Sequence, residues 1–411
     1  MERYSSYKDS NVSWIGEIPS HWKLPSIGRL FEIKAGGDAK PELYSYEKDT
    51  DHPYPVYTNT KDPKSVYAYT TTPIFEANTI TVTGRGEIGR AIFRGVPYDA
   101  IIRLLSLRPK IKLCPKFYAY FIDVVIPFTS DSAAIGQLSA VQIKPKSVTL
   151  PPLAEQEKIV SYLESKTSKL DAYVADKEKE IQLLQELKQK TIAEAVTKGL
   201  NSNVKMKDSG ISWIGMIPDH WEIKKIGSLF TERREKVSDK DFPALSVSKQ
   251  GITPQLETAV KTDNGDNRKK VCKDDFVVNS RSDRKGSCGV SPYTGSVSLI
   301  NIVLSPRNNI EVQYFHHLFR SNDYIEEYYR IGRGIVADLW TTRYSEMRNI
   351  MVPLPPLDEQ QAIVSYIEEK CQKIDTLITE LQAEIDYLKE YKQRLIADVV
   401  TGQVDVQNEM I

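Results

Sequence analysis

Three observations predict a duplicated chain of mixed α/β class, in which two mixed domains are separated by two long antiparallel coiled-coil helices. Two sequence blocks occur twice in register. Two runs of about 45 residues lack both glycine and proline. The segments between them carry β-branched strands closed by glycine turns.

Internal repetition decides the architecture. Asp9 begins DSNVSWIGEIPSHWKLPSIGRLF and Asp208 begins DSGISWIGMIPDHWEIKKIGSLF. Trp14, His21, Trp22, Gly28 and Phe31 therefore match Trp213, His220, Trp221, Gly227 and Phe230 at an offset of 199. A second block repeats at an offset of 204: LPPLAEQEKIVSYLESKTSKLD from Leu150 matches LPPLDEQQAIVSYIEEKCQKID from Leu354. KQKTIAEAVT from Lys188 likewise matches KQRLIADVVT from Lys392. A period of about 200 residues is a whole domain plus a connector, not a solenoid repeat. Residues 32–149 and 231–353 diverge between these frames. Constant frames around unlike inserts indicate one scaffold presenting two readers, within domains 1–150 and 201–353. Segments 151–200 and 354–411 are the first long helix and the second with a C-terminal tail.

Each helical run opens after Pro-Pro, carries acids in its first turns (Glu155 and Glu157, Asp358 and Glu359) and stops at Gly199 or Gly402. Apolar residues recur at Ile159, Leu163, Leu170, Tyr173, Ile181, Leu184, Ile192 and Ala195, then at Ile363, Ile367, Ile374, Leu377, Leu381, Leu388, Leu395 and Val399. Steps of mostly three, four and seven make an apolar stripe, interrupted at Lys166, Lys177 and Lys370. A helix of this length extends roughly 68 Å at 1.5 Å per residue, more than one small domain can bury. Its partner is expected to be its own repeat, running antiparallel.

The divergent domains read as strand-rich. Residues 79–83 and 91–93 flank a glycine turn, and residues 275–279 and Val290 flank a second. Gly86 and Gly89 have counterparts in Gly286 and Gly289. Short helices are expected at Lys116 to Val125 and at Val312 to Tyr329. Gly84, Gly86 and Gly89 satisfy the dinucleotide fingerprint G-x-G-x-x-G, but strand-like residues follow where that fingerprint needs a helix.

Formal net charge is zero, from 55 basic and 55 acidic residues. Its distribution is uneven: +4 over 1–150, 0 over 151–205, +3 over 206–353 and −7 over 354–411. The basic excess falls on the divergent domains, where a local field can attract nucleic acid. The candidate DNA-binding residues sit on the glycine turns and nearby loops. They are Arg85, Arg90 and Arg94 in the first copy, and Arg281, Arg284, Lys285, Arg333 and Arg343 in the second. Arg268, Lys269 and Lys270 extend the second set, and Tyr54, Tyr57, Tyr67 and Tyr69 add amphipathic surface. Arginine can pair bidentately with guanine, and both basic residue types neutralise phosphate.

Catalytic signatures are missing: there is no G-x-S-x-G, H-E-x-x-H or Walker motif. Glu32-Ile-Lys34 resembles the end of a nuclease carboxylate–lysine motif, without a convincing upstream Asp. His21 and His220 lie beside tryptophans at equivalent frame positions and read as structural. Cys114, Cys272, Cys288 and Cys371 lack metal-site spacing and read as reduced thiols. No stretch approaches a membrane span and the N-terminus is not of signal type, so the expected location is the cytoplasm. A DNA reader and a coiled-coil adaptor without DNA reading both fit these features; a self-contained nuclease or methyltransferase fits them poorly.

The W-I-G-x-I-P-x-H-W frame and the L-P-P-L-x-E-Q helix start, each present twice around divergent domains, resemble the specificity subunit of a type I restriction–modification system over essentially the whole chain. The resemblance implies two target-recognition domains, each reading half of a split double-stranded DNA target, with the helices setting the spacer. It implies two modification subunits carrying S-adenosylmethionine and adenine methyltransferase chemistry. It also implies restriction subunits that use ATP and Mg for translocation and cleavage in phage defence. The chain itself would hold no cofactor or metal and catalyse nothing.

Overall fold

The computed structural model describes residues 2–60, 62, 65–128, 137–255, 265–307, 309–334 and 340–409. The chain forms two compact units, Met1–Glu178 with Gln382–Ile411, and Lys179–Leu381. Each unit holds one divergent domain, the opening part of one long helix and the closing part of the other.

In the first unit, strands β1 (Phe31–Ala35), β2 (Thr79–Val82), β3 (Ala91–Arg94) and β4 (Leu105–Pro109) form an antiparallel sheet in the order β1-β4-β2-β3. All four residues of β2 are buried, as befits a β-branched interior strand. Helix α1 (Pro115–Val124) starts on Pro115 and supplies Phe117, Tyr118, Phe121 and Ile122 to the core. A second sheet joins Tyr44–Ser45, Ala68–Thr70, Tyr54–Tyr57 and Asp99–Ala100. Because Ala91–Arg94 is a strand, the glycines at 84–89 close a hairpin and do not cradle a dinucleotide.

The second unit repeats the plan with β5 (Phe230–Glu232), β6 (Phe276–Asn279), β7 (Cys288–Val290) and β8 (Asn301–Pro306), in the order β5-β8-β6-β7. The expected helix from Val312 to Tyr329 is two helices, α3 (Val312–Phe319) and α4 (Asn322–Arg330). Ser321 breaks the run: it is extended, and its hydroxyl accepts from the Tyr324 amide as an N-cap. Arg268–Val271, expected on a loop, is a strand of a three-stranded sheet. Arg268 is buried against Ser296, and Lys269 and Lys270 are paired to Glu232 and Glu235.

The long helices are Leu153–Lys198 (α2) and Leu357–Val400 (α5). An unbroken four–three alternation of partly or fully buried positions runs through each, 163-167-170-174-177-181-184-188-191-195 and 367-371-374-378-381-385-388-392-395-399. This is a heptad seam. Two expectations shift by one residue. Tyr173 and Leu377 are each 48% exposed, and Val174 and Ile378 hold the seam instead. Lys166 and Lys370 also lie off the seam, over the rings of Tyr162 and Tyr366, while Thr167 and Cys371 occupy it. Lys177 does interrupt it and pairs with Glu384. Lys392 to Asp171 in the first unit and Lys188 to Asp375 in the second are the same ion pair, repeated at the offset of 204. These pairs mark the antiparallel order within each unit.

The two repeated motifs lock together. Trp22 donates to Glu155 Oε2 at 2.9 Å, and Trp221 donates to Glu359 Oε2 at 2.9 Å. His21 and His220 bond the other oxygen of the same carboxylates. The next residue is used as consistently. Gln156 donates to the Pro151 carbonyl and accepts the Cys114 amide, and Gln360 does the same with Pro355 and Glu311. Each indole also packs on a helix-ending glycine at positive φ, Gly402 beside Trp22 and Gly199 beside Trp221. A Cβ at Gly402 would collide with Pro19 and press on the Trp22 ring, and one at Gly199 would crowd the Trp221 ring at 3.1 Å. In each unit the frame thus ties the start of one helix to the end of the other.

Candidate nucleic-acid interface

The β2–β3 turn of the first unit presents Arg85 and Arg90. Gly86 and Gly89 take positive φ there, and Phe128 fills the space a side chain at Gly89 would need. The exposed Arg85 guanidinium donates to Gln137 Oε1 at 3.0 Å. Arg90 pairs with Asp123 of α1 at 3.1 Å. Burial raises the Asp123 carboxyl, while the Ala91 amide and Arg90 hold it down. Arg94 is different: it is buried, bonded to Thr81 and stacked over the Tyr57 ring at 3.5 Å. Its guanidinium supports the sheet junction. Tyr57 is buried beneath it, whereas Tyr67 is exposed.

In the second unit the structure gathers residues that are far apart in sequence. Arg281, Arg284 and Lys285 follow β6 on a short 3-10 turn, Ser282–Arg284. Thr341 bridges the backbones of both Arg281 and Arg333, and the Thr342 amide donates to the Ser280 carbonyl at 3.1 Å. Arg343 follows on the same strand-like segment. Five cationic residues therefore share one edge. Arg281 and Arg284 face Asp283, and Lys285 pairs with Glu326. Exposed ion pairs of this kind are worth little in water, so a phosphate can replace the acid at small cost.

Sequence reasoning missed Asn59, Arg103 and Trp340. Asn59 accepts from the Gly84 and Arg85 amides, and Arg103, exposed at positive φ, lies beside that turn. Trp340 is exposed next to Thr341. Nothing in the local sequence marks Asn59, which only the tertiary fold brings to Arg85, whereas Trp340 lies three residues before Arg343. The Glu32-Ile-Lys34 segment is strand β1, with Glu32 held by Arg108 and Lys34. Among the described residues there is no group of metal-ligating side chains, and no helix is long and apolar enough to cross a membrane.

A duplicated frame thus carries two basic turn clusters of unlike composition. The profile of the type I restriction modification DNA specificity domain matches residues 19–192 and again 218–387. A protein of Methanocaldococcus jannaschii assigned as the MjaX type I restriction enzyme specificity subunit is 24% identical, with 98% of each chain covered. The EcoKI specificity subunit of Escherichia coli K12 is 22% identical over 79% of this chain and 73% of its own. A solved chain from work described as the structural basis of complex assembly and conformational transition of the type I R-M system has the same fold. Its TM-score is 0.67 at 14% identity, covering 94% of this chain and 99% of that one. The chain belongs to the type I restriction–modification DNA specificity family. It carries two specificity domains, and this membership favours DNA reading over the adaptor alternative.

Proposed function

We propose that this chain reads a bipartite, asymmetric double-stranded DNA target, one half with each divergent domain, and directs partner subunits to methylate and cleave without catalysing either reaction. One observation carries this reading: a repeated frame holds two basic turn clusters of unlike composition. Domains 1–150 and 201–353 are the readers, and segments 151–200 and 354–411 set the spacer. Arg85, Arg90, Arg281, Arg284, Lys285, Arg333 and Arg343 meet the DNA. Arg94 acts from beneath, as the support of its sheet.

Two modification subunits dock on the helices. The supporting feature is an exposed apolar flank that recurs at the offset of 204. It comprises Tyr173, Tyr387 and Tyr391 in the first unit and Leu377, Leu183 and Leu187 in the second. In heptad terms these are c and g positions, which share one side of an antiparallel pair. The opposite flank carries the Glu178–Lys389 ion pair. Adenine methylation with S-adenosylmethionine belongs to those subunits. Restriction subunits bring ATP, Mg and cleavage, and the assembly works on cytoplasmic DNA.

The test is the methylome of a host expressing this chain with its modification subunit. Adenine methylation at one split, asymmetric motif, lost without this chain, is the expected result. Unchanged methylation by an assembled complex would overturn the reading.

A further inference from the structure

The turn entering the last sheet strand presents an exposed aliphatic residue in both units. In the first, Ile102 and Arg103 are exposed and both lie at positive φ, 54° and 62°. A β-branched residue rarely accepts that conformation. Such strain persists only where the surroundings over-determine it. Here the Ile102 amide donates to the Gly37 carbonyl at 2.9 Å, and Asn59 donates to the Ile102 carbonyl at 2.6 Å. The same Asn59 side chain accepts from the Gly84 amide at 2.7 Å and the Arg85 amide at 3.3 Å. One amide group therefore fixes Ile102 against the arginine turn.

The second unit solves the same problem with other residues. Leu299 stands seven positions before Pro306, as Ile102 stands before Pro109. Leu299 and Ile300 are exposed, and the Asn301 amide donates to Ser298 to close the turn. The Ser280 hydroxyl donates to the Ile300 carbonyl, and Ser280 immediately precedes Arg281. Isolated exposed aliphatics need no explanation. Two at one register position, each on a turn that a polar side chain ties to an arginine turn, do. An apolar side chain set beside a cationic turn matches the thymine C5-methyl in a major groove, flanked by phosphates.

We propose that Ile102 and Leu299 are specificity-determining residues, each pressing on a thymine methyl in its own half-site while the adjacent arginines hold the backbone. This rests on the DNA-reading function above. The test uses the complete complex with its modification subunits and a randomised duplex pool, scoring base preference at every position. Ile102→Asn suits the left-handed backbone, so its thermal midpoint is expected to equal or exceed that of the native chain. Its preference at one position of one half-site is expected to fall at least about fivefold, with the other half-site unchanged. Leu299→Ala does the same in the opposite half-site. Replacing that thymine by uracil weakens the native complex and leaves the variant unaffected.

An unchanged profile, a uniform loss across both half-sites, or indifference to uracil at every thymine would overturn the inference while DNA reading stands. A native complex without base preference would overturn the reading itself, and this inference with it.

Discussion

Glu155 and Glu359 each hold an indole and an imidazole with one carboxylate, at the same distance for the indole. Trp22 and Trp221 are buried, so removing the acceptor strands an indole N–H away from water. Glu155→Ala is expected to cost about 1–3 kcal/mol in urea unfolding, and Glu359→Ala a similar amount. Arg281 and Arg284 predict differently. Their acid partner Asp283 is exposed, so neither contributes measurable stability. Arg281→Ala should leave the melting temperature unchanged. Where Arg281 meets a phosphate, its loss should lower the slope of log affinity against log salt by about 1.

The long helices are legible as helices from composition, but their facing is a finer question. Tyr173 and Leu377 fit an approximate stripe, yet a 3.5-residue period carries the seam to Val174 and Ile378. Ile378→Asp is therefore expected to destabilise by about 2 kcal/mol or more, against about 0.5 kcal/mol for Leu377→Asp. Leu377→Asp should instead weaken retention of the modification subunit in a pull-down. Helix α3 carries a pH dependence. His316 accepts the Val290 amide, and burial, then Arg320, lowers its pKa to about 3. His317 is lowered to about 4 by burial, Arg320 and Lys188. The unfolded chain takes up these protons near pH 6.5, well before the folded chain does. Stability is therefore complete above about pH 6.5 and declines as pH falls towards 4, by at most about 1.4 kcal/mol per pH unit for each histidine. Acid titration of unfolding should show this slope, and His317→Gln should flatten it.

At the scale of the whole chain, duplication gives two readers one frame, and the divergent segments carry the difference. On the proposed spacer role, removing one matched heptad from each helix shortens both by about 10 Å. Seam and frame locks are retained, because the deletion preserves the heptad register. The methylated motif should then keep both half-sites and lose about three base pairs of spacer, at 3.4 Å per step. Altered half-sites would refute the separation of reading from spacing.

Repetition, helix runs, glycine stops and the hairpin turns were all determined by sequence alone, since each depends on local propensity or on matching strings. Arg85 and Arg281 were legible because glycine turns expose what they carry. The buried position of Arg94 was not, because alternation in a strand leaves open which face a second sheet covers. The role of L-P-P-L-x-E-Q was equally hidden. Its glutamate sits where a helix dipole favours an acid, but its partners lie more than 130 residues away. Only the tertiary structure joined Arg281 to Arg333 and Ile102 to Arg85. Those neighbours are made by long-range backbone bridges and single polar side chains, and no local pattern records them.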